Sequence, residues 1–353
     1  MRNGDDTLQV VDDMEVLEPG PHQVTLKIEA TGVCHSDLSC INGTMPQPAP
    51  VVLGHEGAGV VEAIGAGVEG LHVGDHVIVA WSVPCGRCRN CVARRAPQLC
   101  GTMYSTGALD PRFRLGGQPV LAMNGVGTFA QYTTVQQGAA IPIDDDVPFD
   151  IASLIGCGVT TGVGAVVNRA RVPPGSSVVV FGCGGVGIAA IQGARLVGAS
   201  TIVAVDVLEA KRRLALGFGA THACPPEQLA DLRAELTGDG FDYAFEAIGL
   251  AATMRAAWDS VRRGGTACVI GAGRQDDPLV FSAFEVFFNE KTLVGSYYGS
   301  SDVRSQFHDL IRLWRAGRLD LDGMITRRRP LDDVNRALED LAAGAVIRTV
   351  ITP

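Results

Sequence analysis

The stretch SSVVVFGCGGVGIAAIQGARLVG, residues 176–198, decides the fold of the second half of the chain. A short β-branched run leads into a glycine loop with the G-x-G-x-x-G spacing, and a helical pattern follows until Gly198. Gly182, Gly184 and Gly187 permit a tight turn, close approach of a pyrophosphate and close packing of the helix. The helix N-terminus would face the phosphates. The stretch therefore predicts a dinucleotide-binding strand–loop–helix unit.

An acidic residue beyond the loop supports this prediction. Asp206 lies near the end of the strand-like run TIVAVDV, about 20 residues after the glycines. A carboxylate there would accept hydrogen bonds from the adenosine ribose diol and repel a 2′-phosphate, which favours NAD over NADP. Lys211 could lie over the same ribose. The alternative is that Lys211 is an ordinary lysine on a helix surface and does not contact the cofactor.

The rest of this half alternates between strand-like and helical segments. FDYAFEAIG, TACVIGAG and TLVGSYYG are typical of strands, and LAATMRAAWDSVRRGG, residues 250–265, is typical of a helix. Such alternation predicts an α/β fold with a doubly wound parallel sheet.

Four of the ten cysteines fall in one short segment, CGRCRNCVARRAPQLC. They are Cys85, Cys88, Cys91 and Cys100. Two-residue gaps let thiolates converge on one tetrahedral ion, so the spacing predicts a closed, structural zinc site. Reduced surface thiols or disulfides remain the alternatives. Cys183, Cys224 and Cys268 are predicted to be core thiols.

A more scattered set has the composition of a catalytic zinc site. Cys34 comes from GVCHSDLSC, His55 and Glu56 from GHEGAG, and Cys157 from IGCGVTTG. Two thiolates and one imidazole leave a fourth position for water or an alcohol. Taken singly, Cys157 could be a core thiol and His55 a core histidine.

Length and charge bound the remaining possibilities. The chain has 353 residues, so two domains are expected. Its formal net charge is −9, and TRRRP is the one basic run that stands out in the sequence, so we do not expect nucleic acid as a partner. We recognise no stretch of about 18 uncharged apolar residues and no apolar run at the N-terminus, so we expect no membrane segment and a cytoplasmic location.

These motifs together resemble the zinc-containing medium-chain alcohol dehydrogenases over essentially the whole chain. The matching segments are ATGVCHSDL, the G-H-E-x2-G-x5-G-x2-V signature at 54–68, the four-cysteine lobe, LIGCGVTTG, GCGGVG with its later Asp, and IRTVI. The resemblance implies a Rossmann domain inserted in a GroES-like, mostly β catalytic domain. The implied boundaries are 1–158 with a zinc lobe at 85–100, 159–297 for the NAD-binding domain, and 298–353 for the return to the catalytic domain.

The resemblance also implies residue roles. Cys34, His55 and Cys157 correspond to catalytic zinc ligands, with Glu56 as an acid beside the metal and Asp37 as the carboxylate that orients the histidine. Ser36 is expected to take the proton of the alcohol, and Trp81 to form a wall of the substrate pocket. The residues expected to bind the cofactor are those of the glycine loop, Gly182, Gly184, Gly185, Val186 and Gly187. To these the resemblance adds Asp206 and Lys211 at the ribose, and His35, Thr161 and Arg348. NAD and two zinc ions per chain are the expected cofactors.

Two residues depart from the family pattern. His35 stands where many relatives have an arginine on the pyrophosphate, and a partly charged histidine predicts looser, pH-sensitive NAD binding. Ser39 stands where liver-type enzymes have a proton-relaying histidine, so Ser36 and the nicotinamide ribose would have to deliver the proton directly to water.

The predicted activity is reversible hydride transfer from an alcohol to NAD, giving an aldehyde or ketone. Three alternatives remain: a mycothiol- or glutathione-dependent formaldehyde dehydrogenase, a nicotinoprotein that retains its NAD, and a non-catalytic NAD-binding scaffold. The strand TLVGSYYG is expected at a sheet edge, where it could pair with a second copy of the chain. Members of the family that the chain resembles are dimers or tetramers, so we expect a homodimer, with a homotetramer as the alternative.

Overall fold

The chain folds as two compact units, described here by a computed structural model that covers residues 1, 5–101 and 109–353. Unit 1 comprises Met1–Gly158, Ser301–Ala316 and Leu321–Pro353. Unit 2 comprises Val159–Ser300 and Gly317–Asp320. Both chain ends therefore contribute to unit 1, and unit 2 is built mainly from one continuous middle segment.

Unit 2 contains a fully parallel sheet, as the alternating pattern predicts. Its described strands, in spatial order, are His222–Cys224, Thr201–Val205, Ser177–Phe181, Phe241–Glu246, Val261–Val269 and Thr292–Gly295. Numbered along the chain, this is the order 3-2-1-4-5-6 of a doubly wound dinucleotide-binding sheet. The order reverses between the first and fourth strands, and ligands of such sheets bind in the crevice at that point.

Burial explains why the first strand carries no alternating pattern. Val178, Val179 and Val180 are all fully buried, as expected for a parallel strand covered on both faces. The described helices of unit 2 are Thr160–Gly164, which continues as the π-helical segment Ala165–Ala170, and Gly185–Leu196, Glu209–Gly217, Leu229–Thr237, Ala251–Ser260 and Ala283–Asn289. Short turns lie at Pro226–Gln228 and Tyr298–Ser300.

Two details of unit 2 differ from the sequence-based expectation. The helix expected over 250–265 ends at Ser260, because Val261 pairs with Phe241 and begins the next strand. The strand His222–Cys224 was not predicted, because three residues at a sheet edge are too short to show a period.

Unit 1 is built mostly from β-strands. Its larger sheet has the described order Ile325–Pro330, Arg348–Thr352, Gln23–Gly32, Glu56–Ile64, His76–Val79 and Ala140–Pro142, and Tyr132–Gln136 also pairs with Gln23–Gly32. A smaller sheet has the order Glu15–Val16, Phe113–Leu115, Gln118–Ala122 and Val51–Val52. The helices and short turns are His35–Ile41, Arg89–Val92, Pro97–Leu99, Met123–Gly125, Gln137–Ala139, Phe149–Leu154, Val303–Arg315, Leu331–Asp333 and Val334–Ala342. The mixed α/β class is thus confirmed.

One helical segment corrects the sequence analysis. Phe149–Ala170 has the length and composition of a membrane span, with a mean hydropathy of 1.6 over its most apolar window. The expectation that no such stretch exists is therefore wrong. That window is 83% buried within the folded chain, which is the environment of a core helix.

Candidate metal centres and dinucleotide loop

The scattered cysteine and histidine residues meet in unit 1. Cys34 caps the helix His35–Ile41, His55 immediately precedes the strand Glu56–Ile64, and Cys157 lies in the π-helical turn Ile155–Val159. Ligand atoms of Cys34, His55, Glu56 and Cys157 all lie within 4.8 Å of one another, and all four residues are buried. A π-turn in a helix is often found at a functional site, because it redirects one side chain without ending the helix.

Asp37 holds two of these groups in place. Its Oδ2 accepts a hydrogen bond from the Cys34 backbone N–H at 2.9 Å, and its Oδ1 accepts one from the Gly54 N–H at 3.1 Å. Oδ1 also lies 3.1 Å from His55 Nδ1. Because Nδ1 is engaged, Nε2 is the ring nitrogen available to a metal, as in carboxylate–histidine–metal triads.

A buried ion pair lies beside the same cluster. Glu56 Oε1 is 3.1 Å from Arg348 Nη2, and both side chains are buried. Arg348 Nη1 donates to the Val33 carbonyl at 3.1 Å. The structure thus gives Arg348 a place next to Glu56, whereas its predicted contact with the cofactor stays a prediction.

Two glycines make room for this pair. A Cβ at Gly32 would stand 2.2 Å from Glu56 Oε2, and one at Gly158 would stand 2.0 Å from Arg348 Nη2. Any larger residue at either position would displace a charged group. Sequence reasoning missed both glycines, although Gly32 lies two residues before Cys34 and Gly158 directly follows Cys157.

The charges of the cluster depend on one another. A hydrogen bond with Cys157 lowers the pKa of the Cys34 thiol well below its ordinary value, against the effect of burial, and Arg348 and His55 lower it further. The same bond and burial raise the pKa of Cys157. Burial raises the pKa of Glu56 to about 7, although Arg348 opposes the rise. Burial opposes charge on His55, but Asp37 and Cys34 raise its pKa.

This donor set fits a zinc ion. Two cysteine sulfurs, one imidazole nitrogen and an adjacent carboxylate are the ligand types that zinc takes in catalytic sites. A divalent cation would compensate the charge of both thiols and allow them to ionise together. Apart from the ion pair of Oε1 with Arg348, neither oxygen of Glu56 has a hydrogen-bond partner among the described residues, so Oε2 is available to such a cation.

The four-cysteine lobe forms a second centre in unit 1. The Cys88 sulfur lies 3.5 Å from the Cys91 sulfur and 3.9 Å from the Cys100 sulfur. Four thiolates around one zinc at about 2.3 Å stand about 3.8 Å apart, so these distances fit the ion. The backbone N–H groups of Cys85 and Cys88 donate to sulfurs at 3.3 Å. None of these four cysteines forms a disulfide, which disfavours the disulfide alternative.

The other residues predicted to lie near the metal differ in how far they are exposed to solvent and in what they contact. Ser36 is half-buried, with its Oγ 3.8 Å from the Cys34 sulfur. His35 is exposed, and Ser39 is half-buried on the same short helix. The Trp81 ring meets the His55 ring edge to face at a centroid distance of 6.3 Å, so it lies beside the metal cluster.

The glycine loop of unit 2 has the geometry that a pyrophosphate requires. Gly182 has φ = +89°, and a Cβ at Gly187 would stand 1.7 Å from the Gly182 carbonyl oxygen. Nothing lies within 4 Å of a Cβ built at Gly184, which leaves open space where the helix Gly185–Leu196 begins. The loop therefore fits the phosphates of a dinucleotide.

The predicted ribose-binding acid contacts this loop. Asp206 Oδ2 accepts a hydrogen bond from the Cys183 N–H at 2.8 Å, and Oδ1 accepts one from the Leu208 N–H at 2.9 Å. Lys211 is half-buried on the helix Glu209–Gly217, which starts three residues after Asp206. Thr161 and Val186 come from two packed helices, because a Cβ at Gly162 would stand 2.3 Å from the Val186 carbonyl oxygen. Cys183, Cys224 and Cys268 are buried, as predicted.

Comparisons with known proteins identify the family. Residues 20–145 match the family model described as alcohol dehydrogenase GroES-like domain, and residues 185–315 match the one described as zinc-binding dehydrogenase. An S-(hydroxymethyl)glutathione dehydrogenase of Komagataella pastoris is 37% identical over 356 residues, which cover 97% of this chain and 93% of that protein.

Solved structures give the same result. The benzyl alcohol dehydrogenase of Acinetobacter calcoaceticus superposes with a TM-score of 0.88 at 31% identity, covering 96% of this chain and 94% of that one. A zinc-binding dehydrogenase of Sinorhizobium meliloti, solved bound to NADP, gives 0.80 at 28% identity, covering 96% and 94%.

The chain therefore belongs to the zinc-containing medium-chain alcohol dehydrogenase family, as the resemblance predicts. It is an enzyme of that class, a zinc-dependent alcohol oxidoreductase that acts on small molecules with a nicotinamide cofactor.

Proposed function

We propose that this enzyme oxidises alcohols with NAD and holds two zinc ions per chain. The catalytic ion would be bound by Cys34, His55 and Cys157, and the structural ion by the four-cysteine lobe. The observation that carries the proposal is the convergence of these three ligands with Glu56 inside 4.8 Å, braced by Asp37. When bound, zinc supplies Lewis-acid polarisation of the alcohol oxygen, and the nicotinamide ring supplies the hydride acceptor.

The chain's own residues then orient the reactants and move the proton. Asp37 fixes the ring of His55, so the metal ligands stand in one geometry before substrate arrives. Ser36 would accept the alcohol proton on Oγ while its own hydroxyl proton passes to water. Trp81 would limit the space beside His55 and so influence which alcohols fit.

NADH formation by the purified protein with a panel of primary, secondary and aromatic alcohols tests the activity. Cys157→Ala should abolish NADH formation and lower bound zinc from two ions to one. Cys268→Ala is the matched control, because Cys268 is also buried but lies outside both clusters, and the variant should keep both ions. Turnover by the Cys157 variant at the wild-type rate would contradict the proposed ligand set.

A second candidate is oxidation of a thiol adduct of formaldehyde. It is supported by relatives named S-(hydroxymethyl)glutathione dehydrogenase, which are 37% identical over nearly the whole chain. Formaldehyde is therefore assayed alone, with glutathione and with mycothiol. Activity only with a thiol would favour this candidate, whereas fast NADH release with plain alcohols would favour the first.

Bound NAD that is reduced but never released would indicate a nicotinoprotein. The intact ligand sets leave the non-catalytic scaffold without support.

The choice of NAD rests on Asp206 at the end of the second strand. Its carboxylate is fixed by the glycine loop and would repel a 2′-phosphate. We expect Asp206→Ser to narrow the preference for NAD over NADP by about tenfold or more, measured as the ratio of kcat/KM values. Asp231→Ser, at an exposed acid on the helix Leu229–Thr237, is the control for the loss of a surface carboxylate and should leave the ratio unchanged. An unchanged ratio in the Asp206 variant would contradict the assignment.

A homodimer is the proposed assembly. The edge strand Thr292–Gly295 pairs only with Val261–Val269 among the described residues. The adjoining helix Ala283–Asn289 has no buried residue, and Phe284 and Phe287 are 67% and 78% exposed. A free edge flanked by large apolar side chains suits a second copy of the same surface, which a two-fold axis would bring together. Light scattering on wild type and Phe287→Asp tests this: the wild type should be a dimer and the variant a monomer, whereas a wild-type monomer would contradict it.

A further inference from the structure

A fully buried carboxylate stands at the point where the strand order of unit 2 reverses. Glu246 ends the fourth strand, and it pairs with Phe181 at the end of the first strand and with Val269 near the end of the fifth. Its Oε1 accepts hydrogen bonds from the N–H groups of Ile248 and Gly249 at 2.9 and 2.7 Å. Burying a carboxylate is costly unless it is paired, so this arrangement requires a reason.

The carboxylate also binds the helix that follows. The Thr253 hydroxyl donates to the same oxygen at 2.8 Å, on the helix Ala251–Ser260. Oε2 is buried and has no hydrogen-bond partner among the described residues. One oxygen thus carries all three bonds, and it fixes the loop 247–249 to the helix behind it.

This loop lies against the first glycine of the dinucleotide motif. The Ala247 N–H donates to the Phe181 carbonyl at 2.9 Å, and a Cβ at Gly182 would stand 2.7 Å from Ile248 Cγ1. Ile248 is 46% exposed although it is a large apolar residue next to a tight loop. Its position is therefore set by backbone hydrogen bonds and not by burial in the core.

The backbone of Glu246 links a third loop. Its carbonyl oxygen accepts from the N–H groups of Ile270 and Gly271 at 2.8 and 3.0 Å. A Cβ at Gly271 would stand 2.2 Å from the Gly249 nitrogen, so the loops after the fourth and fifth strands touch. Glu246 accordingly connects the chain segments that follow three neighbouring strands at the crevice.

We infer that Glu246 is a positioning residue for the nicotinamide cofactor. It acts through the loop 247–249, which it holds beside Gly182 so that the crevice is shaped before the dinucleotide binds. This inference rests on the proposed function, because it requires that the glycine loop bind a dinucleotide. It predicts that loss of the carboxylate weakens cofactor binding and leaves alcohol binding and zinc content unchanged.

Two substitutions separate the hydrogen bonds from the charge. Glu246→Ala leaves the Ile248 and Gly249 N–H groups and the Thr253 hydroxyl without their acceptor, so the loop must rearrange. Glu246→Gln keeps one acceptor oxygen of the same shape, and its amide NH₂ would occupy the place where Oε2 has no partner. We expect the dissociation constant for NADH to rise about tenfold in the Ala variant and less than about threefold in the Gln variant.

The test is fluorescence titration of the zinc-loaded enzyme with NADH and with NADPH, together with KM values and thermal unfolding. Val203→Ala is the control, because Val203 is a buried core residue of the same sheet that belongs to none of the three loops. It should lower the melting temperature and leave the dissociation constant unchanged. In Glu246→Ala the KM for NAD should rise, the KM for the alcohol should hold, and kcat should hold or rise where cofactor release limits turnover.

Each outcome is decisive. If wild type binds neither NADH nor NADPH, the proposed function is wrong, and the inference that rests on it is wrong as well. If wild type binds either cofactor and Glu246→Ala binds it equally well, the inference is wrong while the proposed function stands. If Val203→Ala weakens cofactor binding as much as Glu246→Ala does, Glu246 is merely structural and the inference is again wrong.

Discussion

Asp37 illustrates how one side chain can organise a metal site from outside it. The carboxylate is fully buried and bonds the backbone at Cys34, the backbone at Gly54 and the ring of His55. Two ligands that are 21 residues apart in sequence thereby share one support. A ligand that is oriented in advance loses less conformational freedom when the metal binds.

We expect Asp37→Asn to lower the affinity of the catalytic centre for zinc by about 10- to 100-fold, because the amide cannot accept all three bonds. Competition with a chromogenic chelator, followed by metal analysis, measures the effect. The lobe zinc should be retained. Asp75→Asn is the control, because Asp75 contacts the exposed His72 and lies outside both metal clusters. Equal zinc retention by the Asp37 variant and wild type would refute the bracing role.

At the residue scale, the sequence predicts those groups whose chemistry is unusual for a core. Adjacent Cys, His and acid residues indicate a metal site wherever they fall in the fold, and close spacing brings the four lobe cysteines together without tertiary information. The pairing of Glu56 with Arg348 could not be predicted in this way. These residues are nearly three hundred positions apart, and only the pairing of Gln23–Gly32 with both of their strands brings them together.

The strand Gln23–Gly32 shows how an element positions the site. Gly32 pairs directly with Glu56 in the sheet, so the acid emerges at the end of the strand, beside Cys34. Regular pairing alone would tolerate alanine here. The absence of a side chain is required only because the Glu56 carboxylate occupies that space.

We therefore expect Gly32→Ala to destabilise the protein by about 1–3 kcal/mol through overpacking and to lower kcat by displacing Glu56. Chemical denaturation and steady-state kinetics give the two readouts. Gly217→Ala is the control, because nothing lies within 4 Å of a Cβ at that helical position. That variant should be neutral or slightly more stable. A Gly32 variant with wild-type stability and rate would show that the carboxylate has room to move.

In unit 2, a second carboxylate connects two neighbouring strands. Asp242 Oδ2 accepts from the Ser177 N–H and hydroxyl at 2.8 Å each, and Oδ1 accepts from Arg262 Nε at 2.8 Å. Burial raises the pKa of this carboxyl, but the bonds from Ser177 and Arg262 more than offset that, so its net pKa is lowered. A lowered pKa means that the folded state favours the ionised form.

The stabilisation from Asp242 should be complete at neutral pH and fade as the pH falls through the lowered pKa, below about pH 4. We expect Asp242→Asn to cost about 1 kcal/mol at pH 7 and the difference from wild type to shrink towards acid pH. Denaturation at several pH values measures the difference in free energy of unfolding between the two proteins. Zinc loss at acid pH affects both proteins alike, so it cancels in this difference. Asp276→Asn is the control, since its ion pair with Arg274 is exposed. A pH-independent difference would contradict the account.

Element-scale prediction from sequence succeeds where the pattern is local. The glycine loop, its flanking strand and its helix are all specified within residues 176–198, and the structure contains them in that order. Local patterns failed at the end of the helix Ala251–Ser260, where a strand partner 20 residues earlier determines the boundary. They also failed for Phe149–Ala170, whose apolar composition reflects burial in the protein core.

At the scale of the whole molecule, the two kinds of cofactor site belong to different units. The proposed zinc ligands of both clusters lie in unit 1, whereas the glycine loop and Asp206 lie in unit 2. Each unit has buried apolar clusters of its own, with Leu26 and Phe113 among those of unit 1 and Phe241 in that of unit 2. Units with separate cores can open separately, so loss of one ligand should act locally.

Hydrogen exchange resolves this prediction along the chain. Removal of zinc with EDTA should accelerate backbone exchange at 32–37, 54–57 and 85–100, because the ligands lose the cation that compensates their charge. Exchange in the strands at 177–181 and 241–246 should not change. NADH added to the zinc-loaded enzyme should instead protect 182–187 and 247–249, since binding stabilises only the folded state of its own site. EDTA saturated beforehand with zinc is the control. Accelerated exchange throughout both units after zinc removal would mean that the metal sites stabilise the molecule as one cooperative whole, and the assignment of separate roles to the two units would be wrong.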